Sequence, residues 1–137
     1  VEHLRKALID TDILSMFLRG KEEVKSKFEE YLQYHPTISI SILSYYEILS
    51  GLKHKDANKQ LGSFLKLCEG VSIISITKES CQKSADIYAN LKKSGEIIDD
   101  VDILIAGICL ENSLALVTNN TKHFQRIKDI EIVNWSV

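Results

Sequence analysis

No stretch of this sequence approaches the roughly 18 to 20 consecutive apolar residues of a membrane span. Its amino end lacks the charged, apolar and small-residue order of a signal peptide. A soluble, cytoplasmic protein with no membrane partner is therefore expected. The three cysteines, Cys68, Cys81 and Cys109, are odd in number, far apart and set among apolar neighbours. That pattern suits neither a disulfide framework nor a zinc knuckle, and it reads as reduced core thiols. Histidine pairs are missing as well, since His3, His35, His54 and His123 share no spacing that would set two imidazoles on one helix face. Nor is there a basic surplus: 17 Lys and Arg stand against 19 Asp and Glu. A protein that coats nucleic acid through many phosphate contacts is thereby disfavoured, whereas an acidic pocket that acts on nucleic acid is not. Repeats, low-complexity tracts and linkers are absent, so the 137 residues, 45% of them hydrophobic, are expected to form one domain spanning 1–137.

What is present alternates between strand and helix. Ala7-Leu8-Ile9 is a short run of buried β character that ends in the polar triplet Asp10-Thr11-Asp12 before Ile13-Leu14, which predicts strand, turn and helix. Val24, Phe28, Tyr31 and Leu32 recur at helical spacing up to Pro36. Residues 37–42 alternate as a second strand and lead into a helix over 45–52, closed at Gly51. Ala57, Leu61, Phe64, Leu65 and Cys68 trace a further helical stripe before Gly70, and residues 71–76 form a third strand. Cys81, Ala85, Tyr88 and Leu91 mark a helix ending near Gly95. Residues 102–110 are apolar around the whole circumference and predict a buried helix. Residues 114–118 make a fourth strand and 131–133 a fifth at the edge. The pattern predicts the α/β class, with a mainly parallel sheet of about five strands covered on both faces.

In such sheets, functional groups gather where the carboxyl ends of strands meet the amino ends of helices. Asp10 and Asp12 follow the first strand, Glu47 the second, and Thr118, Asn119 and Asn120 the fourth, while Asp102 opens the buried helix. Carboxylates that converge without cations repel one another, and a divalent ion relieves this. An oxygen-only donor set favours a hard ion, Mg²⁺ or Mn²⁺, and metal-dependent phosphodiester hydrolysis is the natural chemistry. Each acid also has a structural reading. Asp10 or Asp12 fits a helix cap, Ser44-Tyr45-Tyr46-Glu47 fits a capping box, and Asp99, Asp100 and Asp102 fit the positive end of a helix dipole. Lys92, Lys93 and Arg126 read as RNA-steering cations or as ordinary solvated charge, and His123 as a phosphate neighbour. Tyr45 and Tyr46 read as core packing.

Taken together, these segments resemble the PIN-domain ribonucleases, specifically the VapC-like toxins of toxin–antitoxin pairs. The similarity runs through Ala7-Leu-Ile-Asp10-Thr11-Asp12, Ile40-Ser-Ile-Leu-Ser-Tyr-Tyr-Glu47 and Asp102-Ile-Leu-Ile-Ala-Gly107. It continues in Leu116-Val-Thr118-Asn119-Asn120, Phe124, Arg126 and the closing Trp135. The resemblance implies a PIN-like three-layer α/β/α sandwich. It implies a metal held by Asp10, Glu47 and Asp102, with Asp12, Thr118, Asn119 and Asn120 in support. It also implies an endoribonuclease acting on structured RNA, tRNA or rRNA, controlled by a cognate antitoxin protein and assembled as a homodimer. Asn119-Asn120 stands where many PIN domains carry a fourth acid, which implies one strongly held ion rather than two. It also leaves room for a catalytically weak PIN-fold RNA-binding or scaffold module. A DNA-directed nuclease is disfavoured by the short chain and the lack of added DNA-binding elements.

Overall fold

Three-residue strands whose side chains are buried on both faces build the centre of the molecule. A computed structural model describes residues 5–137, so His3 lies outside the described residues. Strands β1 (Ala7–Ile9), β2 (Ser39–Ser41), β3 (Ser72–Ile74), β4 (Ala115–Val117) and β5 (Ile132–Val133) form one parallel sheet in the order β3-β2-β1-β4-β5. Successive residues of a strand point to opposite faces. Ala7, Ile9, Ala115 and Val117 accordingly enter one core while Leu8 and Leu116 enter the other.

The first core is covered by α1 (Thr11–Leu18), α2 (Glu22–Leu32), α3 (Ile42–His54) and α4 (Asn58–Cys68). The second is covered by α5 (Lys78–Lys93), α6 (Asp100–Glu111) and the single-turn α7 (Thr121–Phe124). This is the expected three-layer sandwich. Helix α6 buries Ile103, Ile105, Ala106, Gly107, Ile108 and Cys109, which accounts for its lack of a polar face. It approaches α5 so closely that a Cβ on Gly107 would lie 1.9 Å from Ser84 Oγ and 2.6 Å from the Ser80 carbonyl oxygen. At the far edge of the first core, Trp135 meets Phe28 edge to face and tilts over Tyr31, whose hydroxyl accepts the Ala7 N–H at 3.0 Å.

Several boundaries differ from the sequence expectation for identifiable reasons. The second strand is only Ser39–Ser41, because the Ser41 hydroxyl accepts the Ser44 N–H at 3.0 Å and starts α3 at Ile42. Ser44 is therefore inside the helix rather than its cap, Glu47 is not part of a capping box, and Gly51 lies within α3 rather than ending it. A reciprocal capping box does occur at Thr77 and Ser80, at the start of α5. Helix α6 begins at Asp100, two residues before Asp102. The cysteines divide: Cys109 is buried, Cys68 partly so, and Cys81 is exposed, because Cys81 lies on the outer side of α5. Leu32, Leu65 and Tyr88 are likewise exposed rather than core, and Tyr46 is 68% exposed. Tyr45 does pack inward, with its ring 5.8 Å from that of Phe64.

Candidate functional site

Strand order reverses at β1: β2 and β3 lie on one side and β4 and β5 on the other. A crevice opens at the carboxyl edge of such a switch point, and the residues that end β1 and β4 meet there. Asp10 is buried, at 6% exposure. One carboxylate oxygen accepts the Thr11 N–H at 2.8 Å, and the other accepts the Thr118 hydroxyl at 2.7 Å. Asp10 is thus the N-cap of α1 as well as a candidate site acid. The Thr118 hydroxyl in turn accepts the Asn120 N–H at 3.0 Å, so the end of β4 is bound to the end of β1.

Asp12, in the first turn of α1, accepts the Ile13 N–H at 2.7 Å and the Asn119 N–H at 3.1 Å. Glu47 reaches the crevice from α3, where its Oε1 lies 2.6 Å from the Thr11 hydroxyl. That hydroxyl is also 2.8 Å from Ser44 Oγ. Having one proton, it donates to the carboxylate, the stronger acceptor, and receives from Ser44. Asp102 comes from the first turn of α6, with His123 Nδ1 at 3.7 Å.

These acids influence one another. Burial raises Asp10 from 3.8 to about 7, and Asp12 and Asp102 add to the rise. Asp12 is raised by burial. Asp102 is raised by burial first, then by Asp99 and Glu47, against the lowering effect of His123. The largest influences on these three groups are burial, nearby charges and hydrogen bonds from their neighbours. All the acidic donors of the crevice are hard oxygens, which fits Mg²⁺ or Mn²⁺. Among the described residues, no three His, Cys, Asp or Glu stand close enough to cage an ion. An ion that keeps most of its waters and takes one or two carboxylates directly is the kind such an open crevice suits.

The asparagines contribute through their backbone. Asn119 and Asn120 donate N–H groups to Asp12 and Thr118, but their side chains are engaged elsewhere. The Asn119 amide oxygen accepts from Asn134 at 3.0 Å and from Ser136 at 2.9 Å. The Asn120 amide lies 2.9 Å from His123 Nδ1. Asp99 is the N-cap position of α6 without a side-chain cap bond, and Asp100 is exposed in its first turn. Lys92 and Lys93 lie exposed in the last turn of α5, where they complement the helix dipole. Arg126 pairs with Glu96 at 3.5 Å. Sequence reasoning did not single out Thr11, Ser44, Asn134 or Ser136 as site residues. The available signal was the hydroxyl beside Asp10 and the serine one turn before Glu47, and both read equally well as capping residues.

Comparison with known proteins bears on this geometry. The family model described as PIN domain matches residues 7–130. Ribonuclease VapC1 of Methanocaldococcus jannaschii is 32% identical over 124 residues, covering 90% of this chain and 82% of that protein. The tRNA(fMet)-specific endonuclease VapC of Shigella flexneri is 24% identical over 132 residues, covering 96% of this chain and 98% of that one. Among solved structures, VapBC2 from Rickettsia felis, bound to a DNA fragment from its promoter, superposes with a TM-score of 0.87 at 24% identity. It covers 94% of this chain and 98% of the other.

Proposed function

The chain belongs to the PIN-domain family, and from that premise we propose that it is a VapC-type endoribonuclease, the toxin of a toxin–antitoxin pair. Its substrate in this reading is tRNA or rRNA, cleaved with Mg²⁺ or Mn²⁺ held at Asp10, Asp102 and Glu47, by one or two of these carboxylates directly and by the rest through the ion's waters. The observation that carries the reading is the meeting of Asp10, Asp12 and Asp102 at the switch point, where burial raises all three carboxyls and Asp12 and Asp102 raise Asp10 further. Such an arrangement destabilises the fold unless a cation enters. The ribonuclease and tRNA-endonuclease names of the relatives support the substrate class.

Held by these carboxylates, a divalent ion would lower the pKa of a bound water and offset negative charge on the phosphoryl oxygens. The chain's own residues prepare for it. Thr118 and the Thr11 N–H fix the two oxygens of Asp10, so its remaining lone pairs have set directions. Thr11 orients Glu47 in the same way from the neighbouring helix. The backbone N–H groups of Asn119 and Asn120 tie the β4 loop to Asp12 and Thr118, which fixes the crevice wall against which a phosphodiester would lie. The antitoxin reading follows from the similarity to toxins, and a basic side chain of such a partner would compete with metal by pairing with these carboxylates.

Asp10→Asn tests the proposal. With Mn²⁺ present, the folded variant is expected to lose RNA cleavage, and normal activity would refute the mechanism. One observation favours a catalytically weak RNA-binding or scaffold module: the side chains at the fourth acidic position are asparagines bonded to Asn134, Ser136 and His123. Calorimetric titration with Mn²⁺ separates the two readings, since a scaffold without a competent site gives no saturable binding.

A further inference from the structure

Thr11 and Glu47 also line a cavity of about 530 Å³ formed by residues of α1, α3 and α4. The cavity and the acid cluster thus share a wall, and the volume falls in the range of small-ligand sites. Leu18, Ile48 and Leu52 supply apolar surface, and Ser15, Gln60 and Ser63 supply hydrogen-bonding groups. Arg19, Lys55 and Lys59 also line it, and all three are exposed. None of them forms an ion pair among the described residues. Among those residues, Glu47 is the one acid in this lining.

A polymeric substrate with its scissile phosphate at the acids must lay its next nucleotide on adjoining surface. Carboxylates repel the flanking phosphate, so the neighbouring surface has to offer cations. The base needs an apolar wall for its face and amide or hydroxyl groups for its edge, as in pockets that take splayed bases of single-stranded RNA. The cavity offers all three. Resting on the nuclease reading above, we propose that it is the subsite for the nucleotide next to the scissile phosphate in an unpaired RNA segment. The base lies against Leu18, Ile48 and Leu52, Gln60 and Ser63 contact its edge, and Arg19, Lys55 and Lys59 hold the flanking phosphate.

The test compares Arg19→Ala/Lys55→Ala/Lys59→Ala with Lys25→Ala/Lys66→Ala/Lys78→Ala, which removes the same charge from exposed positions outside the cavity. KM for a fluorescent oligoribonucleotide is measured with Mn²⁺ across a range of salt. The first variant is expected to raise KM about ten-fold or more. It is also expected to flatten the salt dependence by about one unit of log–log slope for each phosphate that the deleted cations neutralise. The second is expected to behave as the unmodified protein. Equal KM and equal slope in the two variants would overturn the subsite. So would a first variant with unchanged KM and weakened affinity for a co-expressed antitoxin, because the cavity would then be a protein-docking groove. Absence of turnover in the unmodified protein is a separate result, which removes the nuclease reading and the subsite with it.

Discussion

Burial, reinforced by Asp12 and Asp102, holds the Asp10 carboxyl at about 7 rather than 3.8, despite the opposing hydrogen bonds from Thr118 and Thr11. The folded protein therefore keeps a proton there that the unfolded chain has released, and stability falls as pH rises through that window, from about 4 to about 7. In the presence of a chelator, urea unfolding is expected to show a loss of up to about 4 kcal/mol across the window. Asp10→Asn carries no charge to desolvate, so it should flatten that dependence and unfold at higher urea than the unmodified protein at pH 8, while cleavage is lost. Thr118→Val removes the donor to Asp10 and the acceptor of the Asn120 N–H. It is expected to cost about 1–3 kcal/mol in urea unfolding and to move the acidic limb of the pH–activity profile upward. That Asp10, Glu47 and Asp102 come from junctions on one edge of the sheet could be anticipated from the strand–helix order and the family resemblance, since the acids alone read equally well as helix caps. The part played by Thr11 and Ser44 could not. Their bond crosses 33 residues of sequence, and a serine or threonine near a helix start looks the same whether it caps the helix or orients a neighbouring carboxylate.

The type and order of most elements could be read from hydrophobic period alone, and the all-round apolar character of residues 102–110 correctly announced a buried helix. Boundaries were another matter. Ser41 and Ser44 are both good caps by composition, and it is Ser41 that takes the role, accepting the Ser44 N–H. Ser41→Ala is expected to cost about 1 kcal/mol of stability by removing that cap, measurable as a lower urea midpoint. The α5–α6 contact makes a sharper demand. Gly107→Ala brings a methyl group to 2.6 Å from the Ser80 carbonyl oxygen, a backbone atom that cannot rotate away. Destabilisation of about 1–3 kcal/mol is expected in thermal or urea unfolding. Ser84→Ala in the same chain should relieve only part of it, because the clash with Ser80 remains.

Across the whole molecule, the acids come from separate elements around a single sheet, so their shared charge is a property of the fold and disappears when it unfolds. A cation that binds only the folded state stabilises it in proportion to the logarithm of its concentration. Mn²⁺ should therefore raise the melting temperature, more at pH 8 than at pH 5, because Asp10 is ionised only at the higher value. Differential scanning fluorimetry checks this, and equal shifts at both pH values would contradict it. The parallel order β3-β2-β1-β4-β5 has a further effect in time. Asp10 and Thr118, which bond directly, are 108 residues apart, and Asn119 is held by Asn134 and Ser136 still later in the chain. On a ribosome, the first acid emerges long before the hydroxyl that aims it and the amides that hold its loop. A chain in mid-synthesis carries Asp10 and Glu47 without a crevice to put them in, and the acids stay apart until β4 and the residues that hold Asn119 have been made.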